Sequence, residues 1–445
     1  MAPVPGHQPQ KHRGLYLLLL ALLAAGSMLF YVQKILIPYQ VADAAAHHRP
    51  RGTLSDLYPR WVGVRDLLLK HEDPYSDEVT REIQLGYYGR VLDPTRPDDP
   101  KDEQRFAYPV YVVFLLAPTV KMPFGTVRIG FTWLLLILTA VSVPLWLTFL
   151  RWKVRRVAVV TLIIFAISTY AAVQGIKLQQ LSLLVGGLLA ICAALLAAGQ
   201  LLLAGVCLGI ASIKPQLVVL LAAWLCLWSV SRWRERKNFA IAFLVTVAVL
   251  VVGGQFLLPG WIAKFVDGLK AYTRYTQGVP TLDLLATPLG GTILNSFIVF
   301  GTAVVCWRAK RAAVDSQIFV STTALVLLVT VLIVPMIAPY NQVLLLPAVL
   351  LILRNWREFI GNRGLGRLVL FLAAVVVLWQ WLASIGLLLA SFVLPPSTVQ
   401  AAWALPLWAS IAVPVVILPL QVVVLRKLLR GEFGVTVSDT VNHSF

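Results

Sequence analysis

Lys214, set in otherwise apolar sequence and followed at once by Pro215 and Gln216, is the most demanding residue of this chain. A lysine in such a stretch is costly unless it meets water, a carboxylate or a bound anion. The break at Pro215 frees backbone carbonyls that also need partners, and irregular backbone at membrane depth usually lines a cavity. Two readings follow: the side chain snorkels to an interface, or it holds a phosphate. Asp56 comes just after Ser55, ahead of an apolar-periodic run. There it fits a helix-start signature, with Ser55 or Asp56 as cap, and it fits equally a general base that takes the proton of an acceptor hydroxyl. Tyr58, Tyr75, Tyr108, Tyr272 and Tyr275 offer rings and hydroxyls suited to a sugar, although each alone also suits a membrane interface. Asp66, Asp73 and the Asp98–Glu103 run read as solvated charge.

The elements that must position these groups are membrane spans. The 445 residues are 59% hydrophobic and 13% charged, with mean hydropathy +0.80, the composition of an all-α polytopic membrane protein. At roughly 20 residues per crossing, twelve apolar runs stand out: 15–37, 126–149, 157–174, 180–198, 200–214, 216–230, 238–258, 289–307, 317–338, 341–353, 367–392 and 403–425. The first exceeds a signal-peptide core and has no small-residue cleavage site after it, so it reads as a retained anchor.

Twenty of the 38 Lys and Arg residues fall in six clusters: Lys11/Arg13, Arg151/Lys153/Arg155/Arg156, Arg232/Arg234/Arg236/Lys237, Arg308/Lys310/Arg311, Arg354/Arg357/Arg363/Arg367 and Arg426/Lys427/Arg430. Twelve spans put all six on the cytoplasmic side, as the positive-inside rule asks, with both termini inside. This requires Phe106–Val120, bracketed by Pro109 and Pro118, to be a re-entrant or interfacial helix rather than a span. A single kinked helix over 200–230 is the rival for that stretch. The organisation is then a cytoplasmic segment 1–14, a transmembrane domain 15–425 and a cytoplasmic tail 426–445. Two outer loops, 38–125 and 259–288, belong to the transmembrane domain.

The first outer loop holds ten basic and thirteen acidic residues between Pro38 and Arg105. Leu57, Tyr58, Trp61, Val64, Leu67, Leu68 and Leu69 predict an amphipathic helix lying along the interface. Gln174–Gln180, the Lys214–Pro215–Gln216 corner, the 259–288 loop and Pro339–Gln342 face the same compartment in this topology.

Several function classes are excluded or disfavoured. The net charge of +18 flanks apolar spans, where lipid headgroups and insertion account for it, so no nucleic-acid partner is expected. Cys192, Cys207, Cys226 and Cys306 lie inside apolar runs without CxxC spacing, and the six histidines form no metal pattern. No metal and no cofactor are expected. Short glycine patches such as Gly186–Gly187 read as helix-packing positions.

Four stretches in succession, Ser55–Tyr75 (SDLYPRWVGVRDLLLKHEDPY), Phe106–Pro118 (FAYPVYVVFLLAP), Gly205–Gln216 (GVCLGIASIKPQ) and Ala338–Pro347 (APYNQVLLLP), together resemble glycosyltransferase family 87. That bacterial group includes the polyprenyl-phosphate-mannose-dependent mannosyltransferases that build phosphatidylinositol mannosides. The resemblance implies a GT-C membrane fold of about twelve spans with interfacial helices in the first outer loop. It implies a plasma-membrane protein whose active site is on the periplasmic side, with a lipid-phosphate sugar donor, usually no metal, and an aspartate of the first outer loop as base. Asp56 is the matching position, and Lys214 is consistent with a place near the donor phosphate. Relatives carry histidines in the segment matching Pro339–Gln342, where this chain has Tyr340, Asn341 and Gln342.

The expectation is therefore transfer of a hexose, mannose first, from a polyprenyl-phosphate carrier to a hydroxyl of a lipid or glycan, with inversion. Lys214 leads the candidates for the leaving phosphate, with Arg60, Lys177 and Arg274 behind it. Tyr58, Tyr108, Gln216, Tyr340, Asn341 and Gln342 complete the donor-binding set. The rivals are a transporter or lipid-linked-sugar flippase, and a polysaccharide ligase or polymerase of similar fold. Against the first, the outer-loop pattern has no second copy and the inner spans are nearly free of acidic residues.

Overall fold

The computed structural model describes residues 9–49, 55–276, 278–334, 338–361 and 364–430. Every regular element among them is helical. The N-terminal residues 1–8, Arg363 and the tail beyond Arg430 lie outside the described residues.

A helix falls within each of the twelve apolar runs, but length divides them. Gly14–Ala46, Phe124–Phe149, Trp233–Leu257, Pro288–Ala309 and Gly366–Ala390 are long and apolar enough to cross a bilayer. Arg156–Ile167 and Tyr170–Lys177 make a sixth if the pair, bent by 59°, counts as one span. Leu181–Ala197, Leu201–Ala211, Pro215–Ser231, Gln317–Ile333 and Pro339–Arg354 are shorter apolar helices. The outward faces of the long helices are apolar: Ile129, Trp133 and Ile137, one helical turn apart, are exposed on Phe124–Phe149, while Leu135, Thr139, Val143 and Trp146 are buried. Such stripes suit lipid tails and would be a liability in water. The protein is a polytopic helical membrane protein.

Two elements differ from the sequence reading, and a third stretch stays short of a crossing as expected. The first helix does not end at Ile37; it runs on to Ala46 through a π-helical stretch, Tyr31–Leu36, that precedes Pro38. Such a widened turn takes in backbone irregularities inside a helix. Tyr58–Leu69 is a helix, but it does not lie on an interface with one wet face. Pro59, Arg60, Trp61, Val62, Gly63, Val64, Asp66 and Leu67 are all buried. Gly63 is required there, because a Cβ at this position would overlap the Phe106 ring. The stretch after Phe106 contains only the ten-residue helix Val110–Thr119, about half the length of a crossing. Its Val110, Tyr111, Val112, Val113 and Leu116 are core residues.

The chain reverses at Lys214. Phe239 touches Gly205 through its carbonyl and Trp228 through its ring, with centroids 6.3 Å apart. One residue therefore meets the early part of Leu201–Ala211 and the last turns of Pro215–Ser231. A straight or gently kinked 200–230 helix cannot do this. Gly205 and Gly209 face Phe239 and Thr246 in turn, so Leu201–Ala211 and Trp233–Leu257 run in the same direction at the close approach that a GxxxG pair permits.

Four of the basic clusters are gathered at the end of the bundle away from Lys214. Arg236, half-enclosed by the Trp228 ring at 4.1 Å, donates to the carbonyls of Trp228, Lys310, Arg311 and Ala312. Arg354 donates to Leu150 O, and Arg151 pairs with Asp315 at 3.6 Å.

Candidate active site

The turn Ser55–Leu57, the start of Leu181–Ala197, the Lys214 corner and the 3₁₀ turn Pro339–Leu345 meet at the other end. Neither Ser55 nor Asp56 caps the helix that follows, whose first cap position is Leu57. Ser55 instead donates to Gln179 Oε1 at 2.7 Å, and the Asp56 backbone N–H donates to Leu178 O at 2.8 Å. The Asp56 carboxylate accepts a hydrogen bond from Gln180 Nε2.

Lys214 does not snorkel. It is 6% exposed, and its ammonium donates to Gln180 Oε1 at 2.9 Å and to Ser182 Oγ at 2.6 Å. Ser182 in turn donates to Asn341 Oδ1 at 2.8 Å. A continuous polar line thus runs Asp56, Gln180, Lys214, Ser182, Asn341. Among the described residues, no carboxylate comes within ion-pair distance of Lys214.

Arg60 is the second buried cation, 8% exposed. Its guanidinium lies over the Tyr108 ring at 4.7 Å, and Lys214 Nζ approaches the same ring at 5.7 Å and the Tyr340 ring at 5.3 Å. Such contacts recover part of the desolvation cost of a cation. Arg60 Nε has no partner. Burial works against the Arg60 charge, but Tyr108, Asp56, Tyr272 and Tyr340 outweigh it and hold the group firmly protonated. Two buried basic side chains around one ring, with Asp56 as the near carboxylate, leave a pocket that an anion would complete.

Around it stand Tyr272, already a sugar candidate in the sequence, and groups that the sequence reading did not place at the site. Burial keeps the Tyr87 and Tyr88 phenols protonated, with the Asp56 and Asp102 charges adding to the effect. Tyr272 is pushed up to about 12, also by burial first. These hydroxyls are neutral donors. Asp102 is not solvated charge: burial raises its carboxyl above the usual range, opposed by the Gln104 N–H and by Arg60, and Gln104 Nε2 donates to it at 2.7 Å. Nothing in the spacing pointed to Tyr87 or Asp102. A clue to Gln180 was visible in the paired amides Gln179–Gln180 that open an apolar run.

Several other acidic residues are engaged in ion pairs. Asp66 is fully buried and pairs with Arg65 at 3.1 Å and Lys70 at 3.2 Å. Asp73 pairs with Lys264 at 2.7 Å and Asp99 with Arg90. Asp66, Glu72 and Glu82 bring carboxylate oxygens within 4.8 Å of one another, but Arg65 and Lys70 already bind Asp66 and Glu82.

The structure thus brings Asp56, Arg60, Tyr108, Lys214, Tyr340 and Asn341 together, and separates others from them. Tyr58 packs edge-on against Phe124 at 4.9 Å. Gln216 and Arg274 are exposed. Lys177 donates to Gln40 of the first helix at 2.9 Å, and Gln342 Nε2 donates to Ser410 O at 2.6 Å.

Next to the site opens an apolar cavity of about 710 Å³, lined by Leu183, Gly186, Val343, Trp381 and Ile417 among others. Its lining includes Leu183 and Gln342, the chain neighbours of Ser182 and Asn341, and continues to Gly14, Trp152 and Arg155 at the end that holds the basic clusters.

A family model described as glycosyltransferase family 87 matches residues 106–335. The match takes in Tyr108, Gln180, Ser182 and Lys214; Asp56 and Arg60 precede it and Asn341 follows it. No curated protein and no solved structure matches the chain.

Proposed function

Because the chain belongs to glycosyltransferase family 87 and is thus a membrane glycosyltransferase, we propose that it moves a hexose, mannose first, from a polyprenyl-phosphate carrier to a hydroxyl of a lipid or glycan acceptor. The observation that carries the donor assignment is the pair of buried cations, Arg60 and Lys214, flanking Tyr108 beside Asp56. A sugar-phosphate ester brings one anionic group to a place where Arg60 Nε has no hydrogen-bond partner. The apolar cavity beside Ser182 and Asn341 suits the carrier's hydrocarbon tail.

The acceptor oxygen attacks the anomeric carbon and its proton passes to the Asp56 carboxylate. The bond from the anomeric carbon to the phosphate oxygen breaks on the opposite face, and the electron pair leaves with the phosphate. A single displacement of this kind inverts the anomeric centre. Arg60 and Lys214 act where charge develops on the leaving group, and in a dry site their effect is larger than in water. Tyr87, Tyr272 and Asp102 supply the hydroxyls and carboxylate that hold a sugar ring. The basic clusters at the far end support a periplasmic site by the positive-inside rule.

The test is transfer by purified protein from labelled polyprenyl-phosphate mannose into a membrane-lipid extract. Asp56→Asn should lose transfer by about 100-fold or more, as removal of a general base does, with thermal unfolding in detergent unchanged. Full activity in that variant would remove Asp56 from the chemistry. Silence of the wild type with mannose and transfer from another carrier-borne sugar would change the sugar alone.

A further inference from the structure

We propose that Gln180 is the positioning residue of the site, a single amide that sets the base and the phosphate-binding cation at a fixed separation. The proposal rests on the assignment of Asp56 and Lys214 made above. The Asp56 carboxylate only accepts hydrogen bonds and the Lys214 ammonium only donates them. A side chain touching both must donate at one end and accept at the other. Gln180 does so, with Nε2 on Asp56 and Oε1 on Lys214 at 2.9 Å, and the two partners leave its amide one orientation. A glutamate could serve Lys214 but would repel Asp56.

Gln180 is itself held in place. It is 3% exposed, its backbone N–H donates to Gly175 O at 2.8 Å, and it immediately precedes the first residue of Leu181–Ala197. Its neighbour Gln179 is tied to Ser55 Oγ and to Thr132 Oγ1, so the two consecutive amides clamp the Ser55–Asp56 turn from both sides.

The experiment is the steady-state kinetics of sugar transfer, with kcat and donor KM read separately, for wild type, Gln180→Met, Gln180→Glu and Asp56→Asn, with thermal unfolding of each as a control. Gln180→Met keeps the volume and removes both hydrogen bonds. It should lower kcat by about 100-fold with a smaller change in donor KM, and unfold at the wild-type temperature. Gln180→Glu keeps an acceptor for Lys214 but sets a carboxylate against Asp56, so it should not restore kcat. If Asp56→Asn is inactive while folded Gln180→Met keeps kcat, the positioning role is wrong and the base assignment stands. If Asp56→Asn is as active as wild type, both fall together.

Discussion

At the residue scale, the site is unusual in placing two cations in a dry region without a carboxylate in direct contact with Lys214. Each is worth keeping only if something anionic arrives. A charge-assisted hydrogen bond contributes about 1.5–3 kcal/mol, so Lys214→Met and Arg60→Ala should each lower kcat/KM for the carrier-linked sugar by about 10- to 100-fold, measured by initial rates in detergent. Arg60→Lys should recover only part of the loss, since an ammonium lacks the planar face that lies on Tyr108. The locations of Lys214, Asp56 and Asn341 were legible in the sequence because polar residues beside apolar runs are conspicuous. Arg60 was harder to rank, since a cation inside an amphipathic pattern reads as a wet face. That Tyr58 packs on Phe124 was illegible, because spacing says which residues share a helix face and not what covers the face opposite.

At the element scale, the Tyr58–Leu69 helix shows how far periodicity carries. The apolar spacing gave the helix and nearly its bounds. It could not show that Phe106 and Tyr108 would close over the remaining face, because those contacts bridge some forty residues of intervening chain. Gly63→Val should overpack against Phe106 and lower stability by about 1–3 kcal/mol, visible as a lower unfolding temperature in detergent. Arg60 lies three residues before Gly63 and Tyr108 two residues after Phe106, so the same variant should also weaken donor use. The reversal at Lys214 is read in part from the sequence, since Pro215 marks a break. The direction of the chain beyond it rests on Gly205 and Trp228 meeting one phenylalanine, a pairing with no local signature.

At the scale of the whole molecule, the site and four of the basic clusters occupy opposite ends of one bundle. Arg234 and Arg274 are exposed at these two ends. With the four native cysteines replaced, Arg274→Cys should react with a membrane-impermeant maleimide added outside intact cells, and Arg234→Cys only after lysis; the reverse pattern would invert the topology. The polar line from Asp56 to Asn341 has a further bearing on how the protein is made. Its first member belongs to an early turn and its last follows the Gln317–Ile333 helix, so a ribosome-bound chain that has inserted only as far as Gln317 holds Asp56 and Lys214 but lacks Asn341. Long-range closure of this kind is slow. The polar line is therefore complete only once the chain has been inserted past Asn341.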